Sequence, residues 1–554
     1  MGVATPTARY LPVDDDHHAG EGTVKALTGV GQLVRLILRR DRISLGIWIL
    51  ILGAMPVGVA SGFDALYPTP ADLEQAALTV GSNPGMVAFL GHVHAATLGG
   101  MTAWRIGAFL VVGVGIMSVL TLTRHTRAEE QTGRRELIGS AVVGRHAPLV
   151  AAVVVVATAN LLAGGLGALG LIAYGLEVPG ALALGAATTA GGWVFLGITA
   201  IAAQLTESSR ATNGIGLAAI GVTFLMRVAG DTSSALESLG WMSPIGLAQR
   251  VRPFAGERWW VVGVLVGVAA VTVAIAQAIS SRRDVGAGVF TIRPGPATAS
   301  PSLSGPMGLA IRLQRGTAIA WAVGFAIFGG LMGSVTQAFV DLLEDTPTLA
   351  AIIESVGGVA FIHDAFLASI LGLFAVVAAA HGIQAVQWLR AEETEGRVDK
   401  VLATPTTRSR WMASHTVLGL VVPAVDLVVA GAAAGAGYGI TVGEPGQVIR
   451  VALGALAQVP AAWVAVGVGL ALFGLMPAAT RVVWTLVGVA GLVTLLGRGF
   501  GFPQWVLNLS PFTHSPQMPG GDLRALPLVV MLGLAAGLVA AGFVGFRRRD
   551  VQPG

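Results

Sequence analysis

Apolar stretches of about twenty residues recur along almost the whole chain, and no other feature narrows its folding options so far. Each residue advances an α-helix by about 1.5 Å, so a helical stretch of that length crosses the roughly 30 Å hydrocarbon layer of a bilayer. Lipid offers no partners to backbone N–H and C=O groups, which must therefore be satisfied within the segment, and repeated apolar stretches predict helices. Composition agrees. Of 554 residues, 54% are hydrophobic and 12% charged, whereas soluble domains carry about 25% charged residues.

Windows bounded by charge or by Pro/Gly clusters place spans near 43–61, 102–123, 148–174, 180–205, 212–228 and 259–280. A second set follows near 317–337, 366–389, 413–440, 448–475, 482–498 and 525–546. The expected fold is therefore an all-α polytopic membrane protein of about 12 transmembrane helices. With the N-terminus inside, the cytoplasmic segments hold 26 of the 34 Lys and Arg, among them Arg39, Arg40, Arg42, Arg134, Arg135, Arg282, Arg283 and Arg547 to Arg549. That bias predicts cytoplasmic N- and C-termini in a bacterial inner membrane. Residues 1–28 read as a disordered cytoplasmic tail, since Asp14, Asp15, Asp16, His17 and His18 replace the basic start and apolar middle of a signal peptide.

A net charge of +4 and a pI near 9.9 could suggest nucleic acid. The basic residues, however, lie in short clusters between apolar spans and report topology, so no nucleic-acid partner is expected. The absence of cysteine excludes disulfides, thiolate metal sites and cysteine nucleophiles. Before the first span, Val30, Leu33, Val34, Ile37 and Leu38 share one helical face while Arg35, Arg39 and Arg42 occupy the other. This pattern predicts an amphipathic helix lying on the inner membrane surface, with a cytoplasmic extension of the first span as the alternative.

The chain also repeats itself. Arg127-Ala128-Glu129-Glu130-x-x-Gly133-Arg134-x-Glu136 follows the second span, and Arg390-Ala391-Glu392-Glu393-x-x-Gly396-Arg397-x-Asp399 follows the eighth, 263 residues later. Residues 127–145 and 390–408 share seven identities in nineteen, ending on Arg145 and Arg408. Arg210 with Arg481, Arg227 with Arg498, Ser243-Pro244 with Ser510-Pro511 and Arg283-Asp284-Val285 with Arg549-Asp550-Val551 keep nearly that spacing. Six spans return the chain to its starting side, so the halves, 29–285 and 307–554, are two parallel six-helix repeats. Residues 286–306, with Pro294, Pro296, Pro301 and Pro306, form a Pro-rich cytoplasmic linker between them.

Acids contribute little to membrane orientation, so the doubled Glu-Glu pairs call for another reason. After Gly133 and Gly396 each loop can form a short charged helix, ended in the second copy by Thr404-Pro405. Such a helix, projecting from two spans, suits docking to a partner; a solvated cap is the plainer alternative.

At these residues the sequence resembles the permease subunits of type-two ATP-binding-cassette (ABC) exporters, especially the double-length kind that exports polyketide antibiotics. The family's loop between its second and third spans carries an acidic pair, a Gly, an acid and a Leu, then Thr-Pro and Arg. Glu392, Glu393, Gly396, Asp399, Leu402, Thr404, Pro405 and Arg408 match it, together with Arg397. The first half matches through Glu129, Glu130, Gly133, Arg134, Glu136 and Arg145, but has no Thr-Pro before Arg145, only Ser140, Ala141 and the residues after them. The resemblance implies that these residues form coupling helices seated on a separate ABC ATPase subunit. It also implies outward transport of drugs, antibiotics or lipid-like small molecules.

The chain itself calls for such a partner. A phosphate-binding loop of the form G-x-x-x-x-G-K-[ST] needs a Lys, and neither Lys25 nor Lys400 follows that pattern. The chain is thus expected to be no enzyme and to bind no cofactor, with ATP and Mg on the partner ATPase. Because it holds two permease halves, two ATPase copies per chain are expected.

A major-facilitator secondary transporter also has two parallel six-span halves and a Gly-Arg-Arg loop like Gly133-Arg134-Arg135. The doubled acids and the helix before span one do not belong to that signature. A membrane enzyme needs convergent catalytic groups, and none is legible. His92 and His94 lack a third ligand, so a structural or hydrogen-bonding role is expected and no metal site. The outer segments 62–100 and 338–365 are partly apolar and suit short helices that dip into the membrane. Asp426, inside the ninth span, costs about 2.5 to 3.5 kcal/mol at a bilayer centre and should face the bundle interior. It either holds a cationic substrate group or a proton, or bonds to a neighbouring span; the second is preferred, because polar residues in membranes often join helices, and the 263-residue offset, landing on Ala163, argues against a role shared by both halves. Substrate-binding residues are not legible.

Overall fold

The computed structural model describes residues 26–133, 142–282, 297–298, 300–344, 359–496 and 502–551. The chain forms two compact units, Met1–Pro294 and Gly295–Gly554. Every regular element among the described residues is helical. Eleven of these helices are long and apolar enough to cross a membrane, and the shorter apolar Val482–Thr494 accompanies them. The protein is an all-α, multi-pass membrane protein.

In the first unit the long helices are α1 (Val30–Leu66), α4 (Leu98–His125), α6 (Ala147–Ala173), α7 (Val178–Leu205), α8 (Ser209–Thr232) and α11 (Trp259–Arg282). Between α1 and α4 lie α2 (Pro70–Ser82) and α3 (Pro84–Leu90); α5 (Arg127–Gln131) continues α4; α9 (Glu237–Met242) and α10 (Pro244–Arg250) precede α11. The second unit contains α12 (Pro306–Glu344), α13 (Val359–Thr394), α14 (Arg397–Leu402), α15 (Arg408–Val442), α16 (Gln447–Leu456) and α17 (Val459–Leu475). It ends with α18 (Val482–Leu496), the short α19 (Gln504–Leu507) and α20 (Ala525–Arg548).

The same neighbours recur in both units. α1 packs on α6, α4 on α7 and α7 on α11; correspondingly α12 packs on α15, α13 on α17 and α17 on α20. Lipid tails are as apolar as Leu, so close backbone approach of small residues holds such helices together. Gly164 of α6 and Gly185 of α7 illustrate it: a Cβ on either would run into the other's carbonyl oxygen.

Local signals set the ends. Thr69 and Asp72 form a capping box with Pro70 in the first turn of α2, and the Thr97 hydroxyl accepts the Gly100 N–H at the start of α4. α2 and α3 occupy the segment 62–100, while 345–358 of the segment 338–365 lie outside the described residues.

The stripe from Val30 to Leu38 does not form a separate surface helix; α1 runs unbroken from Val30 to Leu66. Leu33, Ile37, Asp41, Leu45 and Leu52 are buried along one line of it. Leu33 and Ile37 join the cluster containing Leu122 and Leu149, so the stripe meets neighbouring helices. No break separates the stripe from the first span, which it extends.

Candidate functional site

In the second unit α13 carries the acidic pair at its end. Gly396, at φ +66°, then turns the chain in the left-handed region that glycine adopts without a Cβ clash, and α14 begins at Arg397. The Thr407 hydroxyl accepts the Arg410 N–H at 3.3 Å and starts α15. Val398 is buried in a cluster that includes Trp411, Phe473 and Phe546, and Val401 and Leu402 pack against that cluster, which seats α14 on the bundle.

The two acids point inward. Glu393 is fully buried and Glu392 is 6% exposed. The Glu393 carboxylate accepts from Arg390 Nη1 at 3.2 Å and from Arg549 Nη2 at 2.9 Å, with Arg549 Nη1 on its other oxygen. The Arg549 guanidinium stacks over the rings of Phe473 and Phe546, 5.0 and 5.1 Å from their centroids. The Arg549 carbonyl accepts from Arg408 Nη1 at 2.9 Å. Arg397 Nε donates to Glu392 at 2.9 Å. A carboxylate away from water needs such partners, and the Arg fork supplies them in a fixed plane. What faces outward is Asp399, Lys400, Ala403, Thr404 and Pro405, with Arg408 beside them.

The first unit holds the matching place differently. Arg127, fully buried, donates to Glu130 at 2.5 Å, and Glu129 pairs with Arg40 of α1. Gly133 again has a positive φ, +70°. Arg134 and Glu136 lie outside the described residues, and Arg145 is exposed just before α6. Sequence reading missed Asp41, which is buried in α1 and bonds to His125 Nε2 at 2.6 Å, with Arg124 Nη1 at 3.0 Å. It also missed Arg549, although the repeated Arg-Asp-Val ending was the signal for it.

Asp426 lies at the middle of α15 and bonds to His381 Nδ1 of α13 at 2.5 Å, both side chains buried. Trp321 of α12 stacks on the His381 ring at 5.1 Å, and its indole N–H donates to Gln384 at 2.9 Å. In the first unit, one turn from Ala163, Asn160 Nδ2 donates to Ser118 Oγ at 2.9 Å. Both units thus join the same two helices by a buried polar pair, of different chemistry.

At the opposite end of the first unit, the buried Arg227 donates to the Phe89 carbonyl at 2.9 Å and faces Asp231, which also meets Arg250 at 3.3 Å. Its counterpart Arg498 lies outside the described residues. His94 lines a cleft with Trp104 and Leu184. Partial burial, then the positive charge of Arg252 and its neighbours, lowers its pKa to about 4. Among the described residues no three His, Asp or Glu gather as a metal site.

Residues 303–547 match the family model described as "Multidrug efflux system permease Rv1217c, C-terminal domain". Over 539 residues, 97% of each chain, the sequence is 41% identical to the multidrug efflux system permease protein Rv1217c of Mycobacterium tuberculosis.

Proposed function

The chain belongs to the multidrug efflux system permease family, and from that premise we propose that it is the membrane subunit of an ABC exporter. In this reading it moves amphipathic or apolar small molecules outward with ATP hydrolysed by a separate ATPase subunit. The observation that carries the proposal is α14 with its supports. A short helix stands at the turn between two spans, its apolar side is seated on Trp411, Phe473 and Phe546, and its outer side presents Asp399, Lys400, Thr404 and Pro405. A rigidly seated, outwardly charged helix can receive force from a partner and pass it to both spans.

The sequence has no Lys in a phosphate-loop pattern, which supports placing ATP and Mg on the partner. Two loops of the same kind suit two ATPase copies, and the Lys/Arg bias supports cytoplasmic termini in a bacterial inner membrane. Phosphate release by the purified chain, alone and with the candidate ATPase, tests the reading. Hydrolysis is expected only with the partner; robust hydrolysis by the chain alone overturns it.

A further inference from the structure

A partly open cleft of about 390 Å³ lies at the charged end of the second unit, between the end of α13 and the start of α18. Gln387, Arg390 and Thr394 line it from α13, and Ala478, Thr480 and Arg481 from the turn that leads into α18. The repeat gives this place a reference. At the 263-residue offset Thr394 corresponds to Gln131 and Arg390 to Arg127; at the 271-residue offset of Arg210 and Arg481, Ala478 corresponds to Glu207. In the first unit Gln131 Oε1 accepts the Ser209 N–H at 3.0 Å and joins α5 to α8, while Arg127 is fully buried against Glu130. In the second unit the shorter Thr394 turns its hydroxyl back to the Arg390 carbonyl at 2.9 Å, Ala478 brings no acid, and the Arg390 side chain is 25% exposed. One repeat thus has a bridge and an acid where the other has an opening.

The charges around the opening do not balance. Glu393 takes both Nη groups of Arg549 and one N–H of Arg390, and Arg397 pairs with both Glu392 and Glu395. Three acids are therefore met by three guanidiniums before Arg481 is counted. Arg481 is exposed, and its guanidinium has no hydrogen bond or ion pair among the described residues. One positive charge is left over in the cleft, with the exposed part of Arg390 lining the same space. Gln387 Nε2 donates to the Thr480 carbonyl at 3.0 Å and fixes the wall behind them. Beside the turn, Leu475 and Met476 after α17 and Val482 and Leu486 on α18 are each about half exposed or more, at 58, 56, 48 and 49%. Guanidiniums at the ends of spans, next to such an apolar surface, suit a ligand with an anionic head and apolar tails, and basic pockets between spans take lipid headgroups in this way. A small water-soluble anion makes no use of the apolar surface.

We propose that this cleft binds the headgroup of an anionic phospholipid, with its phosphate on Arg481 and Arg390 and its acyl chains along Leu475, Met476, Val482 and Leu486. A lipid with one net negative charge answers the one positive charge left over. Bound there, it joins the ends of α13 and α18 across the gap that Gln131 bridges in the first unit. Binding needs no ATPase and does not depend on the exporter reading.

The test uses the purified full-length chain, delipidated in detergent, and native mass spectrometry with three probes: phosphatidylglycerol, phosphatidylcholine with the same acyl chains, and inorganic phosphate. Wild-type protein is expected to bind phosphatidylglycerol about ten-fold more tightly than phosphatidylcholine and to show no binding of inorganic phosphate at equal concentration. Arg481→Gln should lower the affinity for phosphatidylglycerol by about ten-fold, the loss of charge-assisted contacts to the phosphate. Ala478→Glu, which copies Glu207 of the first unit, should lower it as far. Both changes fall on exposed positions, where folding tolerates substitution. Arg42→Gln, at an exposed arginine of α1, should leave the affinity at the wild-type value. Equal affinity for the two lipids, Arg481→Gln binding that matches wild type, or an equal loss in Arg42→Gln overturns the proposal. Two further results also remove the lipid: inorganic phosphate binding with these variant effects while phosphatidylglycerol does not bind, and no lipid binding but loss of ATPase capture in Arg481→Gln. The first makes the cleft a site for water-soluble anions, the second a partner contact.

Discussion

The guanidinium of Arg549, one residue past the last helix, closes on the fully buried carboxylate of Glu393, 156 residues earlier in the chain. With Arg408 on the Arg549 carbonyl, the contact ties the end of α20 to the end of α13 and the start of α15. The ends of these three helices are thereby held together beside α14.

Arg549→Ala should be the most destabilising single change in this region. It takes the guanidinium fork from a buried carboxylate, and breaking a buried pair costs about 3–5 kcal/mol. Arg549→Lys should fall between, because an ammonium cannot reproduce the planar fork. Thermal unfolding in detergent measures both; a wild-type midpoint for Arg549→Ala contradicts the clamp.

The two kinds of charge in the second loop should separate. Asp399→Lys with Lys400→Glu changes only exposed side chains, so stability should stay within about 0.5 kcal/mol of wild type while partner-dependent ATP hydrolysis falls. Glu392→Lys with Glu393→Lys should instead lower the folded yield. Full hydrolysis and export by the Asp399/Lys400 variant makes α14 a solvated cap.

Asp426→Asn should keep its bond to His381 and fold normally, whereas Asp426→Leu should lose about 1–2 kcal/mol of interhelical stabilisation. The comparison is made by unfolding and by export of cationic and neutral substrates. If Asp426→Asn expresses normally and loses cationic substrates alone, the carboxylate recognises charge and the structural role fails.

His94 should make its end of the first unit acid-sensitive. Its pKa of about 4 lies below the ordinary 6.5, so the unfolded chain takes up the proton first. Its contribution is complete above about pH 6.5, declines as pH falls toward 4, and is fully lost below that. In His94→Gln the unfolding midpoint should fall less steeply between pH 6.5 and 4 than in wild type. Parallel pH profiles contradict the assignment.

The spans, the paired loops and the stop at Gly396 were legible because each depends on residues close together in sequence: hydropathy over twenty positions, an internal copy, a glycine where the chain reverses. The Leu33–Ile37 stripe was legible too, but its surroundings were not. An apolar face reads the same whether bilayer or helix covers it, and only packing against Leu122 and Leu149 decides.

The candidate site divides along the same line. By itself the sequence determined that two charged loops stand at equivalent places, since identity of residues and spacing is all a repeat requires. Tertiary structure decided that Glu392 and Glu393 turn inward and that His381 meets Asp426. These outcomes depend on which side chain arrives from a helix tens or hundreds of residues away, and burial energy, which selects among such arrivals, is a property of the packed bundle and not of any segment in it.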